Sequence, residues 1–422
     1  MIREHVDILI IGAGPAGLAA AIAAREDGID SILVLEREAM PGGILRQCIH
    51  NGFGLHRFKE ELTGPEYAQR DIDRALELKI PIECSTTVLS VSKDRVVTCI
   101  SREKGLRLIE AGAVILAMGC RERPRGALCT PGTRCAGIYS AGTAQRFVNL
   151  EGFMPGQRVV ILGSGDIGLI MARRMTLQGA KVLACVEIMP FSSGLNRNIV
   201  QCLQDYDIPL YLSHTVTDIQ GRERLESVTV SKVDERRRPI PGTEMVFECD
   251  TLLLSVGLIP ENELSEGAGV VISPATSGAV VTDSFETSVP GIFACGNVLH
   301  VHDLVDHVSN ESFRAGHAAA SYVRSEKKPG LMLKVEDGAG VRGVVPQLIR
   351  LAPQEPVTLM FRPSGVFRNA SAVISCGDKE LMRLKAMIFT PGEMAAYSLK
   401  PELFAGLDGS LPLTVRIEKG AE

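Results

Sequence analysis

Little in this chain suits a disulfide framework, a membrane span or a nucleic-acid surface. Its 11 cysteines are odd in number, scattered along 422 residues and nowhere spaced C-x-x-C. A long chain without paired cysteines reads as cytosolic, where thiols stay reduced. Positive charge is not in excess either. The 45 Lys and Arg are outnumbered by 50 Asp and Glu, for a net charge of −5, and a nucleic-acid partner would favour a basic surface. The one notable basic run, Arg236-Arg237-Arg238, stands before Pro239 and reads as a solvated hairpin tip. Ile8 to Ala24 is almost uncharged, but the turn Gly12-Ala13-Gly14-Pro15 splits it into a strand and a helix, each too short to cross a bilayer. A soluble, cytoplasmic protein is expected. Low-complexity tracts are absent, and so are repeats apart from one duplicated unit. What remains, 45% hydrophobic and 23% charged, is globular material for two or three domains.

The duplicated unit carries the chemistry. Val6 to Ile11 is an apolar run suited to a strand buried on both faces. Gly12-Ala13-Gly14-Pro15-Ala16-Gly17 follows, then an alanine-rich helical stretch from Leu18 to Arg25, then the strand Ser31 to Leu35, ending at Glu36 and Arg37. Gly12 permits the tight turn, Gly14 lets backbone approach a pyrophosphate, and Gly17 lets helix and strand pack closely. The helix start, where Pro15 presets the first turn and Ala16 follows, offers its unpaired N–H groups beyond the proline to that pyrophosphate. Glu36 is placed to accept from ribose hydroxyls. Arg158 to Leu162 opens the second copy, with Gly163-Ser164-Gly165-Asp166-Ile167-Gly168 as turn, Leu169 to Gln178 as helix and Lys181 to Val186 as strand, ending at Glu187. Gly12 to Glu36 spans 24 positions and Gly163 to Glu187 the same 24. One G-x-G-x-x-G is weak evidence; two copies in the same frame are strong. Beside Glu187 stand Ile188, Met189 and Pro190 with no cation. A 2′-phosphate would meet a carboxylate there, so NAD(H) is favoured over NADP(H).

With these two units the chain resembles the two-dinucleotide-binding flavoproteins, the group that includes the pyridine nucleotide–disulfide oxidoreductases. That resemblance implies FAD in the first unit and an NAD unit inserted into the FAD domain. Further segments fit in order. Ala113 to Gly119 resembles the strand and glycine turn closing the first FAD half, with Met118 where the family has Thr. Ser255-Val256-Gly257-Leu258-Ile259-Pro260-Glu261-Asn262 resembles the end of the NAD insertion. Thr287 to Asn297 is similar to the second FAD motif, with Asn297 after Gly296 where the family carries Asp. The redox disulfide does not carry over. Leu45 and His50 hold the positions of one branch's paired cysteines, and Cys135 lacks the second thiol of the other, so Cys48 and Cys135 read as bystanders. Pro41 to Gly54, Leu195 to Asn198 and Gln201 to Tyr206 look closest to a bacterial group of FAD/NAD oxidoreductases associated with glycerol-3-phosphate dehydrogenases. That group is related to subunits of dye-linked amino-acid, opine and cyanide-forming dehydrogenases.

The resemblance further implies a flavin lined by Asn297, Val298 and backbone from Val308 to Asn310, at a helix start near Ser309, the expected N-cap. The loop from Gly42 to Gln47, with Gly43 and Ile44, should line the ring's other edge. His300, His302, Asp303, Asp306 and His307 are reminiscent of a metal-hydrolase run, but Leu304-Val305 separates its halves and no metal is assigned. His307 is a candidate proton donor. Tyr139 and Arg146 have no clear assignment between structural and functional roles.

The expected fold is α/β: two Rossmann-type domains, the NAD domain inserted in the FAD domain, plus a small C-terminal all-β module. The boundaries are 1–122 with 257–328 for FAD, 123–256 for NAD(P) and 329–422 for the module, with Ser325 to Gly330 as a charged linker. Helix is expected from Pro65 to Leu78, short strands from Thr86 to Ala117, and strands at Val341 to Ile349, Val357 to Phe361, Ser371 to Ser375 and Leu413 to Ile417. FAD contacts fall to Gly12, Gly14, Pro15, Ala16, Gly17, Glu36, Arg37, Gly43, Ile44, Gln47, Gly119, Gly296, Asn297, Val298 and Val308. NAD contacts fall to Gly163, Gly165, Asp166, Ile167, Gly168, Glu187 and Gly257. The expected activity is hydride exchange between NAD(H) and FAD within an oligomer or hetero-complex, serving a dehydrogenase such as one for glycerol 3-phosphate. The alternatives are a subunit of an amino-acid or opine dehydrogenase, and a non-catalytic flavin redox sensor or scaffold.

Overall fold

The computed structural model describes residues 2–325 and 330–419. The expected boundary at 328 and most of the charged linker lie outside the described residues. The chain divides into two compact units, Met1–Cys120 with Pro260–Glu422, and Arg121–Ile259.

In the first unit the strand Ile2–Ile11 lies between two parallel neighbours, Ile32–Leu35 and Gly105–Leu116. Ile292–Ala294 adds a further parallel strand beside Gly105–Leu116. Covered on both faces, such strands read as unbroken apolar runs, and Ile8, Leu9 and Ile10 are fully buried. The helices Pro15–Glu26 and Val305–Arg324 pack on this sheet through small residues. The two helices also pack closely on each other: a Cβ at Gly316 would stand 2.3 Å from the Ala20 carbonyl oxygen. The helix over the expected Pro65 to Leu78 runs Gly64–Glu77, started by a capping box between Thr63 and Glu66. Thr86–Val91 and Val96–Ser101 form an antiparallel meander with Gly105–Leu116, the short strands expected from Thr86 to Ala117.

One buried charge anchors this sheet. The Arg107 side chain is fully buried, forming ion pairs with Glu4 at 2.9 Å and with Glu83. Arg107→Ala should cost about 3 kcal/mol, the low end for breaking a buried ion pair, because both carboxylates keep some solvent. A lower urea midpoint with unchanged slope would show it.

The C-terminal strands keep a hydrophobic core of their own. Two sheets cover it, one of five strands and one of three. The expected strand from Val341 to Ile349 is two strands, Val341–Val345 and Leu348–Arg350, separated at Pro346. Three strands were not foreseen: Met332–Asp337, Lys379–Phe389 and Ala395–Leu399.

In the second unit the parallel sheet runs Ile138–Ser140, Thr251–Leu254, Arg158–Leu162, Lys181–Glu187, Leu210–Leu212. Three antiparallel strands from His214 to Glu248 form a second small sheet. Arg236, Arg237 and Arg238 are exposed at its turn. Both units thus place a glycine turn at the carboxyl end of a parallel strand, where open α/β sheets bind ligands.

Candidate functional site

The two glycine turns are built alike, down to their hydrogen bonds. Gly12 donates to the Leu35 carbonyl at 2.8 Å, and Gly163 donates to that of Val186 at 2.7 Å. Both have positive φ, +104° and +94°, and an added Cβ would strike a carbonyl oxygen of the neighbouring strand, Ala117 at 2.5 Å and Ser255 at 2.1 Å. Only glycine fits there. At Gly17 a Cβ would fall 1.8 Å from the Gly12 oxygen, and at Gly168 2.6 Å from Ser255 Cβ. Each helix then begins without a side-chain cap: Pro15–Glu26 on Gly14 and Asp166–Leu177 on Gly165.

The acids do something their spacing did not reveal. Glu36 is buried and accepts from the Ala13 N–H at 2.7 Å and the Glu38 N–H at 2.9 Å. Glu187 accepts from the Ser164 N–H at 2.9 Å, the Ser164 hydroxyl at 2.6 Å and the Met189 N–H at 3.0 Å. Each carboxylate therefore ties its glycine turn to the strand end that bears it, leaving lone pairs for further donors. Arg37 is exposed beside the first of them.

Space for a ligand is open at the first turn, whereas at the second a Cβ on Gly165 would stand 3.1 Å from Ser255 Oγ. A Cβ on Gly14 would meet only Gly43 Cα at 3.9 Å, and one on Gly119 or Gly257 would meet nothing within 4 Å. Uncapped helix N–H groups facing backbone this open fit the diphosphate of a dinucleotide. Asp166 turns away, its Oδ1 accepting from Leu195 N–H at 2.8 Å and Asn198 Nδ2 at 2.7 Å. Ile167 is half-buried behind it.

Around the first turn the structure gathers most of the proposed flavin residues. Gly296 packs on Ala16 and Val308, whose side chains would stand 2.7 and 3.3 Å from a Cβ at that position. Val298 is buried and Asn297 half-buried. Gly43–Gln47 is a turn of 3₁₀ helix, with Gln47 buried and Ile44 exposed. Gly42 N–H donates to the Ala13 carbonyl at 2.8 Å, which pins this loop over the glycine turn. Ser309 is not an N-cap. The helix starts four residues earlier, at Val305 after Leu304, and Ser309 is buried within it, accepting from the Tyr67 hydroxyl at 2.9 Å. Val308 to Asn310 is thus helix interior, not a capping turn.

The histidine-rich run separates into three. Asp303 pairs with Arg362 and accepts from the Met394 N–H at 2.6 Å, so the C-terminal strands hold this loop. Asp306 Oδ2 accepts from the His56 N–H at 3.3 Å while its Oδ1 is buried without a hydrogen-bond partner. The His307 ring lies 5.9 Å from that of His56, and burial keeps its pKa below the ordinary histidine value. His300 and His302 join instead with Glu311, a helix residue that sequence reasoning missed. Burial would raise the Glu311 carboxyl, but the facing imidazoles outweigh it and hold the group below the usual carboxylate range. Asn297, where the family carries Asp, accepts through its Oδ1 from the His302 N–H at 3.1 Å. Tyr139 packs edge-on against Phe147, and Arg146 pairs with Glu151.

All eleven cysteines are thiols. Burial pushes those of Cys48, Cys185, Cys249 and Cys295 up to about 12 and that of Cys202 to about 11. At pH 8 a thiol near 12 is thiolate in roughly one part in ten thousand. Iodoacetamide at that pH should therefore spare all five in the folded protein and reach exposed Cys129 first. Rapid labelling at any of the five, read by peptide mass, would contradict this.

The family described as pyridine nucleotide-disulphide oxidoreductase matches residues 6–321. An opine oxidase subunit of Agrobacterium tumefaciens is 26% identical over 283 residues, 64% of this chain and 55% of that protein. The hydrogen cyanide synthase subunit HcnB of Pseudomonas protegens is 26% identical over 284 residues, 62% of this chain and 58% of its own length. The chain thus spans little more than half the length of these relatives. The crystal structure of T. acidophilum thioredoxin reductase superposes with a TM-score of 0.64 at 25% identity, covering 76% of this chain and all of that one. Among the described residues, no helix is long and apolar enough to cross a membrane.

Proposed function

The chain belongs to the pyridine nucleotide-disulphide oxidoreductase family, and from that premise we propose that it is an FAD-dependent NAD(P)H oxidoreductase that exchanges hydride between NAD(H) and FAD as the electron-transfer subunit of a larger dehydrogenase. The observation that carries the reading is the duplicated turn, each copy clamped by its own acid and followed by a helix that starts without a side-chain cap. FAD, when bound, supplies the two-electron acceptor. The chain's residues bind and orient. Gly12, Gly14 and Gly17 with the helix N–H groups from Ala16 onward would hold its diphosphate against the Pro15 ring, Glu36 and Arg37 its ribose end. Gly43, Ile44, Gln47, Gly119, Gly296, Asn297, Val298 and Val308 would surround the rest. Gly163, Gly165, Ile167, Gly168 and Gly257 would hold NAD, with Asp166 shaping the turn from behind. On this division FAD falls to 1–122 with 257–328, NAD to 123–256, and docking to the module at 329–422.

NAD(H) is preferred because Glu187 is buried and ionisable at the ribose position, with half-buried Ile188 and Met189 after it. A 2′-phosphate would add charge beside a carboxylate. Flavin reduction by NADH should exceed that by NADPH at least about tenfold in kcat/KM, a difference of roughly 1.4 kcal/mol. Equal rates would overturn the preference. Disulfide exchange is not proposed, since the chain lacks both cysteine pairs that support it.

The glycerol-3-phosphate reading of the partner rests on Pro41 to Gly54, Leu195 to Asn198 and Gln201 to Tyr206. An amino-acid or opine partner is favoured instead by the Agrobacterium relative, whose name makes it part of an opine oxidase. Co-purification from the source cell, followed by assays with glycerol 3-phosphate and with amino acids and opines, separates the two. A monomeric protein that no substrate reduces would favour the sensor or scaffold and end both readings.

A further inference from the structure

Beside the turn at Gly296 three ligand-bearing side chains meet in a space closed to solvent. His300, His302 and Glu311 are 5%, 8% and 4% exposed. Their ligand atoms all lie within 4.8 Å of one another. His300 Nε2 is 2.7 Å from Glu311 Oε2, and His302 Nε2 is 3.3 Å from the same oxygen.

These contacts leave an electrostatic problem. His302 Nδ1 lies 3.3 Å from Asn297 Oδ1, an acceptor, so the ring proton belongs on Nδ1. That leaves a lone pair on Nε2. This atom is buried and has no hydrogen-bond partner, yet its nearest charged neighbour is a carboxylate oxygen. Two electron-rich atoms facing each other in a dry site call for positive charge between them, either a second ring proton or a metal ion. A second proton on the imidazole would have Glu311 Oε2 at 3.3 Å, but off the line a hydrogen bond needs. A metal ion has no such demand, since it takes lone pairs converging from several directions at about 2.0–2.2 Å.

The surrounding bonds match what metal ligands require. A ligating histidine donates its other ring N–H to an oxygen that fixes its orientation, and a ligating carboxylate is itself hydrogen-bonded. Here Asn297 faces the far nitrogen of His302, and the Gly296 N–H donates to Glu311 Oε1 at 2.7 Å. Asn297 Oδ1 also accepts from the His302 N–H at 3.1 Å, which fixes the loop carrying both imidazoles.

We infer that His300, His302 and Glu311 bind one divalent first-row cation of the zinc class, held between the loop after Gly296 and the helix Val305–Arg324. Two imidazoles and a carboxylate suit Zn(II) and Fe(II) better than Mg(II) or Ca(II), which favour all-oxygen sites. Three protein ligands leave at least one position for water. Because Glu311 also holds the Gly296 N–H, the ion would stiffen the turn proposed to face the flavin. The metal does not depend on the FAD assignment, and its test does not require flavin.

The test uses the full chain purified without a histidine tag, stripped with chelator and re-metallated with Zn(II) or Co(II) alone. One equivalent of metal per chain should survive gel filtration, raise the thermal midpoint and, for Co(II), give d–d absorption without a thiolate charge-transfer band. His302→Ala and His300→Asn should each weaken Zn(II) binding at least about 100-fold by calorimetry. Retention below a tenth of an equivalent by the wild type would overturn the site. So would Zn(II) affinity unchanged in His302→Ala, or a Co(II)–thiolate band, which would assign the ion to a cysteine. Should the variants fail to fold, the wild-type stoichiometry and Co(II) spectrum still decide.

Discussion

Replacing Gly14 with Asp should yield a folded, colourless protein. A side chain at this position would enter open space, with Gly43 Cα at 3.9 Å the nearest atom. Its carboxylate would stand at the uncapped start of Pro15–Glu26 and take the place proposed for the diphosphate. Like charges sharing one partly dry site cost several kcal/mol. FAD affinity should fall at least about 100-fold, equivalent to roughly 2.8 kcal/mol. The loss is read as a missing flavin band in protein whose far-ultraviolet circular dichroism is unchanged. Gly17→Ala makes the contrast. Its Cβ would fall 1.8 Å from the Gly12 oxygen, so it should lose flavin together with thermal stability. If Gly14→Asp keeps full flavin content, the diphosphate lies elsewhere.

Gly165→Asp should separate the two sites. The new Cβ would lie 3.1 Å from Ser255 Oγ, a contact that a shift of a few tenths of an ångström relieves. The carboxylate would then repel a dinucleotide at the start of Asp166–Leu177. Because this turn belongs to a different compact unit from Gly14, flavin content should match the wild type. The KM for NADH should rise at least about 100-fold, with kcat/KM falling in step, as expected for lost binding. Rapid bleaching at wild-type NADH concentrations would show that the second turn does not hold the nicotinamide dinucleotide.

The glycine turns were legible because their constraint is local. A strand, a positive-φ turn and a helix start lie within a dozen residues, and only glycine answers the steric demand at Gly12 and Gly163. Ser255 was missed as a site residue, although its hydroxyl accepts from the Gly168 N–H at 3.0 Å. A signal existed in the parallel between Leu116-Ala117-Met118-Gly119 and Leu254-Ser255-Val256-Gly257, which places Ser255 where Ala117 floors the first turn. The cap at Ser309 failed for a different reason. Val308 is buried in the core and Val305 packs against it and against the cluster of Leu45, Leu62 and Tyr67, and that packing extends the helix past a residue whose type favours a cap. Tertiary burial outweighed local preference.

The histidine-rich run was the least legible. Its spacing concerned one segment, while its partners come from four: Arg362 and Met394 for Asp303, His56 for Asp306, and Glu311 for the two buried imidazoles. No periodicity announces such contacts. In the C-terminal strands the difficulty was composition. Lys379–Phe389 alternates charge with apolar side chains at the edge of its sheet, leaving Met387 86% exposed. A search for β-branched runs passes over a strand of that kind.

The most direct measurement is an anaerobic titration of the yellow wild-type protein with NADH, following the visible flavin band. Two dinucleotide sites serving one hydride transfer predict stoichiometric bleaching by NADH. A band unmoved by excess NADH and by excess NADPH would contradict the account.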